Sequence, residues 1–429
     1  MIGCKYHRPH TEHAMSDHTF IDCNGLAAFM SLGFVKSGME MQLRTGTLNF
    51  GNPVAELNRH HLGDNWSAAF GDDPNDWPTA NVDAVIGCPP CSGWSVWSGA
   101  DKRGPDSAAH EHTRAFMRYA ARVKPKIVVF ECVQQAYTQG RAVMLQYRNM
   151  LEELSGKKYD LYHVKHNNLQ VGGFSYRMRY FWVAVEQGMP FGASVTNPTE
   201  IPRMRDIIGD LENLEVQWEP QSYGQSEPSP FVAGLRTKTG IVDGHMNKIS
   251  MDTRRIDEIF EIIGNDGWGP MVDLAGALKQ AVEKNGDKFP QSWLSQEEKV
   301  RRKDFYLGFS TAVRWDADSF CHVLTGGAMD HIVHPTLPRR ITHREAARIQ
   351  GLPDDWSFVE AKNYSALGAT WGKAVAVQAA TWIGEATVAA LDGQPNGPQG
   401  QLIGDREYLL ETDKGFSRSF VRKTYFETK

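Results

Sequence analysis

The sequence predicts an α/β fold, a doubly wound, mostly parallel sheet accompanied by a smaller second domain. Three observations carry this. Two apolar runs, residues 82–87 (VDAVIG) and 126–131 (KIVVFE), have the unbroken hydrophobicity of strands covered on both faces. Residues 110–123 between them read as a helix, with Ala115, Tyr119 and Val123 on one face. Residues 19–22 followed by Gly25 and a helical stretch read as the first strand–turn–helix unit. Strand, crossover helix and parallel strand form the repeating unit of such a sheet.

Further along, residues 180–185 (YFWVAV) predict another strand. The organisation changes after about residue 190. Residues 219–230 are rich in Pro, Ser and Gln and read as a loop, and 250–310 carry helical patterns broken by Gly and Pro. Residues 344–351 (REAARIQG) predict a short helix; Thr342 is its N-cap and Glu345 completes a capping box. Residues 374–390 predict a long helix of small and apolar residues. The expected division is a main domain at 1–190, an insert at 191–335, returning segments at 336–392 that complete the main domain, and a peripheral tail at 393–429. No internal repeat is present.

A net charge of -5 over 429 residues excludes a globally basic nucleic-acid binder, so any such contact must use a local basic face. No run of 18 apolar residues is present, and a membrane span is not expected. The N-terminal segment, with His7, His10, His13 and His18, is polar, lacks an apolar core and reads as a solvated leader rather than a secretory signal. Six cysteines show no disulfide spacing, which fits a reducing compartment. Cys88 and Cys91 form a CxxC that could serve as a redox pair or half a zinc site, but no second CxxC or His pair completes one, and no metal is expected.

The chemically capable residues fall at strand ends. Cys91 follows Pro89 and Pro90 straight after a buried strand, where open α/β sheets place ligand chemistry. Glu131 ends the neighbouring strand, and Arg177 and Arg179 precede the next. With these residues on the page, DAVIGCPPCSGWS resembles the Pro-Cys motif of DNA cytosine C5 methyltransferases. KPKIVVFECV resembles their Glu-Asn-Val motif and YRMRYFWV their Arg-x-Arg motif. RRITHREAARIQGLPDDW resembles their arginine–threonine helix motif, and GKAV the glycine–asparagine–alanine–valine motif. Five matches in the family's order are far more specific than any one alone.

The resemblance implies a Rossmann-like class I methyltransferase fold with a smaller DNA-recognition domain. It also implies S-adenosylmethionine as donor and a cytosine flipped out of double-stranded DNA. Cytosine C5 is a poor nucleophile; adding a thiolate to C6 makes it carbanion-like, with an acid at N3 and cations near O2. Carried over, Cys91 is the nucleophile, Glu131 contacts N3 and the amino group, Arg179 contacts O2, and Arg177 supports it. Ser92 and Ser95 join the substrate side, with Ser95 at a phosphate-contacting position. Cys23, Asn24, Gly25 and Leu26 form the cofactor turn, joined by Pro90 and Val375, while Asp72 matches the acid that receives the adenine amine. Arg301 and Arg302, with Lys303, form a basic cluster suited to phosphates, as does the segment 236–238. A monomer in the cytoplasm of a bacterium or phage-infected cell is the expected setting.

The departures cluster around the cofactor. Cys23 takes the place of the family's Phe, and Ala27 and Ala28 replace glycines. Asn49 is the nearest polar candidate for the missing ribose acid, and Cys132 replaces the Asn that braces the Pro-Cys loop. Lys373 replaces an Asn beside the transferred methyl group. A lysine in a closed pocket needs an anion, since breaking such a pairing costs roughly 3–5 kcal/mol. A carboxylate on the transferred group would supply it, making carboxy-S-adenosylmethionine the donor and 5-carboxymethylcytosine the product. A Lys373 turned to solvent would remove that reading. Two other readings keep the same motifs: an RNA cytosine methyltransferase, and a catalytically dead DNA-binding relative. A dinucleotide-dependent dehydrogenase is discounted for want of G-x-G-x-x-G.

Overall fold

In the computed structural model, the structure describes residues 16–23, 28–45, 73–95, 98–194, 197–236, 239–246, 272–273, 313–324, 332–337, 339–358 and 364–426. The chain divides into two compact units, one of residues 1–199 and 374–417, the other of 200–373 and 418–429.

The first unit holds an eight-stranded sheet. Its strands are β1 (Thr19–Cys23), β2 (Glu40–Thr45), β3 (Ala84–Gly87), β4 (Ile127–Cys132), β5 (Tyr159–Asn167), β6 (Met178–Glu186), β7 (Gln401–Gly404) and β8 (Glu407–Glu411). They lie in the order β7-β8-β5-β6-β4-β3-β1-β2. β1, β2, β3 and β4 pair in parallel, as do β5 and β8, while β6 runs antiparallel to both its neighbours. β3 and β4 are buried at every position, as their continuous apolar runs predict.

Helices α1 (Phe29–Lys36), α2 (His110–Val123), α3 (Arg141–Ser155) and α4 (Val377–Leu391) accompany the sheet. α2 has the predicted limits, and Ala115 and Tyr119 are buried on its core face. It stops at Lys124, which adopts a left-handed φ of 55° and precedes Pro125. α1 packs against α4, and the contact depends on Gly33, where a Cβ would collide with Ala380. The stretch Thr370–Leu391 is long and apolar enough to cross a membrane by length and composition alone. The buried side of α4 within it, including Ala380, Ile383 and Ala386, is that of a core helix.

Two expected boundaries need correction. Residues 393–417 are not a peripheral tail: β8 adds to the edge of β5, and Glu407 on it is buried. Glu407 accepts from His163 Nε2 at 2.7 Å and from both Nε and Nη2 of Arg141 at 2.8 Å. Of the returning segments at 336–392, 374–392 joins the first unit. The segment 336–373 belongs to the second because helix His343–Ile349 packs there, on helix Met204–Ile208.

The Arg141 hydrogen bonds hold the Glu407 carboxyl at about 2, below its ordinary 4.5. A depressed carboxyl contributes stability that is complete above its unfolded pKa and is lost as pH falls through the folded one. Acid unfolding of Glu407→Gln should therefore depend less steeply on pH between 4.5 and about 2. Urea midpoints across that range measure it, and parallel curves for variant and wild type would contradict the linkage.

In the second unit, Thr342 caps helix His343–Ile349 and Glu345 closes the predicted capping box. The arginines of this segment are engaged inside the unit. Arg339 forks onto Glu345 at 2.6 and 2.9 Å, and Arg344 donates to the carbonyls of Asp243, Pro353 and Trp356. Arg348, fully buried, grips Asp354 at 2.7 and 2.5 Å and reaches Asp210.

Candidate active site

Strands β1, β3 and β4 end along one edge of the sheet, with Cys23 paired to Gly87 and Gly87 to Phe130. This is the carboxyl edge, where such sheets place ligands. Gly87 is required there: a Cβ would drive into the Cys23 carbonyl and Phe116.

Cys88, Pro89, Pro90 and Cys91 leave β3 at this edge. Cys88 is buried and Cys91 partly exposed. The turn closes through the Trp94 N–H on the Cys91 carbonyl at 3.0 Å and the Ser95 N–H on that of Ser92 at 3.3 Å. Trp94 anchors it: the indole is buried and its ring centroid lies 4.6 Å from that of His110 on α2. Ser92 is exposed and Ser95 partly so, on the outer side of the turn.

β4 supplies the next groups by alternation of its side chains. Glu131 faces one side and is 2% exposed; Cys132 faces the other, within the apolar cluster that contains Phe130 and Trp182. Glu131 pairs across the ladder with Phe181, so Arg179, two residues earlier on β6, stands on the Glu131 side. Arg179 Nε lies 3.1 Å from Glu131 Oε1, and the Cys88 thiol donates to Oε2 at 3.5 Å. The carboxylate is thus held between a guanidinium and a thiol.

Arg177 is buried, and its Nη2 donates to the Ala374 carbonyl at 2.9 Å, fixing the chain where it returns to this unit beside Val375. Burial, and then the Arg179 charge, lower it to about 9, so it stays a cation at neutral pH. His166, paired across β5 and β6 with Arg179, is also buried and stacks on Phe181 at 4.9 Å. Burial and the two arginines press it down to about 3, so it is neutral.

The neighbouring Cys132, and then the Arg179 charge and the Val133 backbone, lower the Cys91 thiol below its ordinary value, against burial and the Glu131 charge.

The structure thus brings together Cys91, Glu131, Arg177 and Arg179. Of the residues expected on the cofactor side, Cys23 ends β1, Pro90 lies in the turn after β3 and Val375 follows Ala374 before α4; Asn24, Gly25, Leu26, Asn49 and Asp72 lie outside the described residues, as do Arg301 and Arg302. At the ends of β1 and β2, buried Asp22 takes hydrogen bonds from Ser31 and from Arg44 Nε at 3.2 Å.

Lys373 is exposed. A solvated ammonium needs no buried partner. Sequence reasoning missed His166, whose signal was only its place at a strand end, and the Cys88 contact with Glu131, hidden behind the redox and zinc readings of CxxC.

A family model for C-5 cytosine-specific DNA methylases matches residues 60–389. The chain belongs to this family. Among curated proteins, this methylase is 26% identical over 349 residues to the type II methyltransferase M.XorII of Xanthomonas oryzae, covering 77% of this chain and 73% of that one. It is 26% identical over 353 residues to M.NgoPII of Neisseria gonorrhoeae, covering 79% and 85%. Among solved structures, a putative DNA modification methyltransferase encoded within an Escherichia coli prophage superposes with a TM-score of 0.60 at 18% identity, covering 88% of this chain and 100% of that one. The Entamoeba histolytica methyltransferase EhMeth superposes at 0.51 with 10% identity, covering 88% and 99%. These likenesses show the class I methyltransferase fold, and the family match makes the chain a DNA cytosine-5 methyltransferase.

Proposed function

We propose that this methylase transfers a methyl group from S-adenosylmethionine to C5 of a cytosine flipped from double-stranded DNA, through a covalent bond between Cys91 and C6. The observation that carries this is the carboxyl edge itself: a partly exposed thiol on the turn whose Cys88 touches a carboxylate already aligned by Arg179. The Cys91 thiolate adds to C6 while Glu131 shares a proton with N3, which moves the ring's electron pair onto C5. Arg179 sits beside Glu131 to face O2, and Arg177 braces it from the Ala374 carbonyl. S-adenosylmethionine supplies the electrophilic methyl group. Loss of the C5 proton to water, return of the N3 proton to Glu131 and departure of the thiolate then restore the ring and the enzyme. Pro90 and Val375 stand on the donor side of this arrangement, Ser92 and Ser95 on the DNA side, and Arg301 and Arg302 are proposed phosphate contacts.

The experiment is mass spectrometry of nucleosides from duplex DNA incubated with the protein and either S-adenosylmethionine or its carboxy form. A methyl gain on cytosine with the ordinary donor is the expected result. A carboxymethyl gain that disappears in Lys373→Asn would overturn the donor assignment. Product on tRNA but not on duplex DNA would overturn the substrate.

A further inference from the structure

Cys88 has no part in the scheme above, yet the fold seats it against the acid of that scheme. Gly87, which closes β3, pairs with Phe130 on parallel β4. One residue further along, Cys88 and Glu131 stand level on neighbouring strands, where side chains in register fall on one side of a sheet. The Cys88 thiol accordingly donates to Glu131 Oε2 at 3.5 Å, and both residues are buried. Burial, and then the Glu131 charge, push the Cys88 thiol well up; Cys91 and Asp22 act in the same direction. The sulfur therefore keeps its proton and remains an uncharged donor.

The two oxygens of Glu131 are then not equivalent. Oε2 holds the thiol hydrogen bond. Oε1 lies 3.1 Å from Arg179 Nε but, among the described residues, takes no hydrogen bond although it is buried. A buried carboxylate oxygen left without a donor is costly and calls for a functional reason. The amino group of a bound cytosine is such a donor. A glutamate carboxylate turns readily about its last side-chain bond. The ion pair with Arg179 would survive an exchange of the two oxygens; the thiol hydrogen bond would not.

We propose that Cys88 is a positioning residue for Glu131: its thiol, hydrogen-bonded to Oε2, sets the rotation of the carboxylate and leaves Oε1 for the cytosine. Being uncharged, it aligns the acid without adding a second cation to compete with the base for it.

The inference takes its catalytic meaning from the proposed role of Glu131, but the contact is testable without DNA or donor. The S–H stretch of Cys88 is identified in the infrared spectrum of the full chain as the band lost in Cys88→Ala. In Glu131→Gln that band should move to higher frequency, because a hydrogen bond to an ionised acceptor is stronger than one to a neutral amide. A band that does not move would overturn the proposal. In methyl transfer to duplex DNA, Cys88→Ala should lower kcat about tenfold and leave the KM for the duplex unchanged, the signature of a group misaligned only at the reacting centre. Cys88→Ser, whose hydroxyl is a donor of similar size, should return kcat to within about threefold of wild type. An unchanged kcat in Cys88→Ala, or a Cys88→Ser as impaired as Cys88→Ala, would overturn the positioning role. Should circular dichroism show Cys88→Ala unfolded, Cys88→Ser decides: recovery of kcat sustains the role, and a tenfold loss with KM unchanged refutes it. Covalent capture of the wild type by a 5-fluorocytosine duplex keeps the two readings apart. Capture with an unmoved band would leave the function and remove the role of Cys88; a moved band without capture would leave the contact and remove the reaction.

Discussion

Cys91→Ala is expected to abolish covalent capture by a 5-fluorocytosine duplex and to lower methyl transfer at least about a thousandfold. The loss should be this large because the remaining groups cannot substitute for the bond to C6. Glu131 and Arg179 act on a ring whose C5 becomes nucleophilic only after that addition. Cys88, the other thiol of the turn, is buried and committed to Glu131 at 3.5 Å. Duplex binding, measured by fluorescence anisotropy, should change little in the variant, since the 92–95 turn is held by its backbone hydrogen bonds and by Trp94 on His110 rather than by the sulfur. Adduct formation by Cys91→Ala at anything near the wild-type rate would place the nucleophile elsewhere.

Arg348→Met is expected to destabilise the second unit by roughly 3–5 kcal/mol, because it breaks a buried ion pair by removing one partner. Asp354 would lose both of its guanidinium contacts and, among the described residues, keep the Tyr223 hydroxyl, while Asp210 would retain Arg236 at 2.8 Å. Arg348→Lys should recover little, since a point ammonium cannot bridge both aspartates and the Ile207 carbonyl as the forked guanidinium does. Chemical denaturation followed by tryptophan fluorescence measures the effect; a midpoint shift equivalent to less than about 1 kcal/mol, the worth of an exposed pair, would show that the network is not integral.

What could be read from the sequence depended on whether the signal was local. β3 and β4 announce themselves as apolar runs, and α2 by its period. The Thr342–Glu345 capping box is a four-residue pattern whose hydrogen bonds form as read. The pairing of Glu131 with Arg179 follows once strands 127–132 and 178–186 are known to be neighbours. The β7–β8 hairpin gave no such signal. Its strands are short and partly exposed, and only the long-range pairing of β8 with β5 makes them part of the sheet. The environment of Lys373 was equally illegible, since the residue type states a charge and not whether water reaches it. Cys132 illustrates the middle case: its identity as a departure was visible, but its burial in the apolar cluster depends on strand alternation turning it away from Glu131.

The division of the chain has a consequence for biosynthesis. The polypeptide passes from one unit to the other after residues 199, 373 and 417. When residue 199 leaves the ribosome, β5 is still a bare outer strand and α1 lacks the helix that covers Gly33 and its neighbours. Both remain open until 374–417 have been made, so the sheet must wait through the translation of more than 170 intervening residues, 200–373. Such a nascent chain exposes an unpaired edge and apolar surface during synthesis, the condition under which chaperone engagement and aggregation compete with folding.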